Sequence, residues 1–71
     1  MPRFLITTRR DQRESARPVP DVVKDFAGVS IAQIHSPEMV TVDASEAAID
    51  RLRQQIGATY HVENEIRRGL N

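Results

Sequence analysis

The chain has 71 residues, ten Lys and Arg against ten Asp and Glu, and no cysteine. A domain of this length buries roughly 60% of its unfolded surface, enough for one thin core that neither disulfides nor thiolate-bound metal can reinforce. The balanced charge gives no pull towards a polyanion. No stretch reaches the ~18 apolar residues of a membrane span, so no membrane association is expected.

Near the start, Phe4 to Ile6 is the only run of large apolar residues, too short for a signal-peptide core. The sequence as written therefore reads as cytoplasmic. Arg3 to Thr8, RFLITT, is rich in β-branched and aromatic residues and predicts a strand. Residues 9 to 17, RRDQRESAR, carry four arginines and read as a solvated loop or a helix start. Pro18 and Pro20 interrupt any long helix there, because each lacks a donor and restricts its predecessor. Pro20 to Gly28 predicts a short helix, with Val22, Val23 and Phe26 on one face and Gly28 as its stop.

Val29 to Ile34 and Met39 to Asp43 predict two strands joined by the turn residues His35 to Glu38, hence a hairpin. Asp43 to Gly57 is the clearest element. Asp43 or Ser45 caps it, Asp43 with Glu46 has capping-box spacing, and Ile49, Leu52 and Ile56 form an apolar stripe. Thr59 to Ile66, TYHVENEI, predicts a last strand, and residues 67–71 form a polar tail. The order is strand, helix, strand, strand, helix, strand. It predicts an α+β, ferredoxin-like βαββαβ sandwich over residues 1–66, a four-stranded antiparallel sheet with two helices on one face. Neither face of the hairpin is strongly polar in this reading, so apolar surface is expected on the open side of the sheet, either tolerated or a partner site.

Reaction chemistry is sparse. His35 and His61 lack the His-x-x-x-His spacing of a metal site. Ser15, Ser30, Ser36 and Ser45 lie in no nucleophile motif, and the three glycines are isolated. The residues thus predict no enzyme, no metal and no cofactor. The aromatics are Phe4, Phe26 and Tyr60, too few and misplaced for a base-stacking sheet. Arg9, Arg10, Arg13 and Arg17 remain a nucleic-acid candidate, but a solvated loop is the expectation, with no nucleic-acid partner.

The order of elements, the segment MVTVDASEAAIDRLRQQIGATYHVENEI and the short tail resemble the propeptides of subtilisin-like serine proteases and the small inhibitors related to them. The signature that carries the resemblance is His61-Val62-Glu63-Asn64-Glu65-Ile66. The resemblance implies a propeptide-like inhibitor, or an intramolecular-chaperone-type folding partner, of such a protease. In that family the open sheet face packs on two parallel surface helices of the enzyme. Two acids spaced two apart cap the helix N-termini, and here these are Glu63 and Glu65. The tail, here Arg67, Arg68, Gly69, Leu70 and Asn71, enters the substrate cleft as an added strand. Arg68 and Asn71 depart from the usual tail residues, and His61 replaces an aromatic. An excised propeptide would be extracellular. The alternative reading is a ferredoxin-like interaction or regulatory module that forms a homodimer through its open sheet face, with no protease partner.

Overall fold

A computed structural model describes residues 2–64. Its elements are β1 (Arg3–Thr8), a single 3-10 turn (Arg10–Gln12), α1 (Val19–Val23), β2 (Val29–Ser36), β3 (Met39–Ala44), α2 (Glu46–Ile56) and β4 (Tyr60–Asn64). The chain is a small α+β domain with a four-stranded antiparallel sheet in the spatial order β2-β3-β1-β4 and two helices.

Alternation along the strands decides which side is buried. Phe4 and Ile6 of β1 face Val42 and Val40 of β3, and Ile6 also faces Val62 of β4. All are buried, together with Tyr60 and Ala44. The helices add Val19, Val23, Ala48, Ile49 and Leu52 to the same cluster. Burying each large aliphatic side chain contributes about 1.5–3 kcal/mol, so a core this thin depends on most of its members.

The second helix follows the sequence reading closely. Its N-cap is Ser45, whose hydroxyl accepts from the Ala48 amide at 3.1 Å. Asp43 is not the cap. It stays in β3, opposite Arg3, and forms an ion pair with it at 3.0 Å. The Gly57 amide donates to the Arg53 carbonyl and closes the helix.

Three expectations are corrected. The first helix is Val19–Val23, shorter than and shifted from the predicted Pro20–Gly28. Pro18 stands just before it and Pro20 in its first turn, where a missing donor costs nothing. The Val19 amide donates to the Pro37 carbonyl at 2.8 Å, which ties the helix start to the β2–β3 turn. Its buried residues are Val19 and Val23, whereas Val22 and Phe26 are half-buried. Gly28 lies beyond the helix at φ 85°, in the left-handed region, and leads the chain into β2.

The hairpin is the second correction. β2 extends to Ser36, and its pairing with β3 shifts register between Ile31 and Gln33 and again between Ile34 and Ser36. A bulge inserts an extra residue and breaks strict alternation. Ile31 therefore pairs with Val42 and Ile34 with Val40, although they are three apart. Val29, Ile31 and Ile34 all pair with core-facing residues of β3, where simple alternation puts Ile34 opposite the other two.

The third correction concerns the side of the sheet away from the core. Its rows are Ser30, Asp43 and Arg3; then Gln33, Thr41, Leu5 and Glu63; then Met39, Thr7 and His61. This face is mostly polar, and Leu5 and Met39 are its large apolar members.

Candidate functional site

Among the described residues β4 is an edge strand, held on one side by β1. Val62 points into the core, so alternation turns its neighbours His61 and Glu63 to the open face. His61 stands opposite Thr7, and Glu63 stands opposite Leu5. Both are exposed, and His61 Nε2 and Glu63 Oε2 are 2.7 Å apart. The contact is a hydrogen bond, and becomes an ion pair when the imidazole is protonated.

Across the sheet, His35 of the edge strand β2 reaches over β3 on the same face. Its Nε2 and the Thr41 hydroxyl are hydrogen-bonded at 2.8 Å. Thr41 is only 2% exposed, and this bond satisfies its buried oxygen. Both histidines of the chain thus lie on the open face, one towards each margin, with Leu5, Thr7 and Thr41 between them. Among the described residues no group of three His, Asp or Glu converges as a metal site would require.

Of the residues singled out in the sequence, Glu63 is on the open face and exposed. Glu65, Arg67, Arg68, Gly69, Leu70 and Asn71 lie outside the described residues. Sequence reasoning missed the partners of Glu63. The alternation Thr41-x-Asp43 on β3 and His61-x-Glu63 on β4 carried a signal for them, since residues two apart on a strand share a face.

The arginine-rich segment has a local structural role. Arg9 Nε donates to the Gly57 carbonyl at 2.8 Å, and Arg13 pairs with Glu38 at 2.9 Å. Arg17 donates to the Asp21 carbonyl at 3.3 Å. The Arg17 carbonyl in turn accepts from the Tyr60 hydroxyl at 2.6 Å. These bonds hold the long connection between β1 and α1 against the start of β4 and the hairpin turn. Phe4 and Tyr60 are buried on the core side, and Phe26 packs against that core.

Among the described residues no helix is long and apolar enough to cross a membrane. Comparison with protein-family models, with curated proteins and with solved structures finds no match for the chain.

Proposed function

We propose that this chain is a propeptide-like inhibitor, or folding partner, of a subtilisin-like serine protease. It docks by the open face of its sheet and places its C-terminal tail in the substrate cleft. The observation that carries the reading is the position of Glu63, exposed on the open face of edge strand β4, two residues before Glu65 and shortly before the tail. A carboxylate so placed suits the unpaired amides and positive dipole end of a partner helix, worth about 0.3–1 kcal/mol at an exposed site. The element order and the spatial order β2-β3-β1-β4 support the ferredoxin-like architecture that this reading requires. A polar face with few large apolar residues suits a partner that the protein leaves again. The chain performs no chemistry of its own in this reading.

The experiment is inhibition of a panel of subtilisin-like proteases by the full chain and by a chain lacking Gly69 to Asn71. Inhibition at micromolar concentration by the first and its loss in the second are expected. Glu63→Gln weakens inhibition several-fold while the circular dichroism spectrum stays that of the wild type. A full-length chain that inhibits no member of the panel removes the reading.

A further inference from the structure

The outer edge of β4, unpaired among the described residues, has a feature that the open face does not share. In an antiparallel pair, hydrogen-bonded residue pairs alternate with pairs whose amides and carbonyls point outwards. The Arg9 amide donates to the Thr59 carbonyl, which sets the phase of the β1–β4 ladder. Counting in steps of two, Thr7 with His61 and Leu5 with Glu63 are the hydrogen-bonded pairs. Tyr60, Val62 and Asn64 therefore turn their backbone groups to the outer edge. On that edge the Val62 carbonyl is taken. Arg53 of α2 reaches it with Nη2 at 3.3 Å, and Asp50 lies 3.8 Å from the same guanidinium.

Val62 is the middle residue of β4. A two-fold axis through it would align β4 antiparallel with β4 of a second copy. Tyr60 then faces Asn64 of the second copy, Val62 faces its counterpart, and His61 faces Glu63 of the second copy, twice. The His61–Glu63 positions are non-hydrogen-bonded sites, where Cα atoms approach to about 4.5 Å and side chains meet most closely. The edge is thus self-complementary in backbone and in side chains, as an isologous contact demands. The group the axis needs first is the Val62 carbonyl, which Arg53 occupies.

We infer that the outer edge of β4 is a strand-addition site for a second copy of this chain, and that Arg53 latches it in the single chain. The other edge, β2, carries two register shifts, which disfavour addition there. The inference shares Glu63 with the protease reading but does not rest on it, because it uses the strand's edge and no residue of the tail, and its test alters only Arg53 and Asn64.

The test is sedimentation velocity over a concentration series. Arg53→Met keeps the aliphatic stem and removes the donors. It is expected to tighten dimerisation at least tenfold over the wild type, and Arg53→Lys, which restores a donor, returns most of that change. Adding Asn64→Pro to Arg53→Met abolishes the dimer, because proline removes an outward donor yet is tolerated on an edge strand. A folded Arg53→Met chain that self-associates no more than the wild type overturns the inference, as does a dimer indifferent to Asn64→Pro. Should Arg53→Met not fold, amide exchange in the wild type decides. The Val62 amide is expected to slow with rising concentration, and a rate independent of concentration sinks the proposal.

Discussion

Tyr60 shows how much one side chain holds. It is 4% exposed, and its hydroxyl spans 43 residues of sequence to the Arg17 carbonyl. Burial pushes its phenol above the usual 10.0, while the charge of Arg17 pulls the other way. The folded chain therefore holds this proton more tightly than the unfolded chain. The resulting stability is complete below pH ~10, where both states are protonated. It is lost as pH rises through the raised folded value. Tyr60 is the chain's only tyrosine, so phenolate absorbance reports on it alone. A titration midpoint above 10.0 is expected, with the denaturation midpoint falling over the same interval. Tyr60→Phe flattens that fall and costs about 1 kcal/mol at neutral pH through the unpaired Arg17 carbonyl. None of this was legible in the sequence, because periodicity carries no information on a bond between a loop carbonyl and a distant strand.

Among the elements, α2 was the most legible, because its cap, stripe and stop agree. Its one ambiguity, Asp43 or Ser45 as cap, is resolved by packing. Asp43 is held in β3 by its pairing with Arg3 and Ser30, and Ser45 is the next polar residue free to turn its oxygen to the helix. Ser45→Ala should cost about 1 kcal/mol, read as a shift in the urea midpoint with an unchanged slope. Asp43→Asn, which removes an exposed ion pair worth at most ~1 kcal/mol, leaves the helix capped. The first helix and the hairpin were less legible for different reasons. Proline at a helix start and proline as a breaker look alike until the Val19–Pro37 bond shows where the helix begins. A bulge inverts the face assignment of the residues beyond it, here until the second shift restores it. Ile34, 56% exposed, sits at the rim of the core-side surface for that reason and is not part of an apolar open face.

For the whole molecule, the margin is narrow. A chain of 71 residues is stabilised by roughly 4–10 kcal/mol at ordinary values per residue. Leu52 and Ile49 are nearly fully buried, and Leu52→Ala is expected to cost about 2–5 kcal/mol. That loss removes about half of the margin at mid-range values and is read as a thermal midpoint lowered by roughly 8 °C or more. The α+β class, with a four-stranded antiparallel sheet and two helices, was readable at this scale because the order of strands and helices admits few compact arrangements. The polar character of the open face was not, because it depends on the register of four strands at once. Glu63 was singled out from a motif, whereas His35, Thr41 and Arg53 gain meaning only from their neighbours in space.

The pairing of β1 with β4 has a consequence for how the chain can be cut and rejoined. Phe4 of β1 lies beside Asn64 of the edge strand β4, so the two ends of the described chain lie side by side. A short bridge joining those two ends would close the described residues 2–64 into a ring without moving a strand. New ends opened between Glu14 and Ser15, on the exposed connection, would leave every strand with its present neighbours. A chain rearranged in this way is expected to keep the order β2-β3-β1-β4, read as an unchanged circular dichroism spectrum.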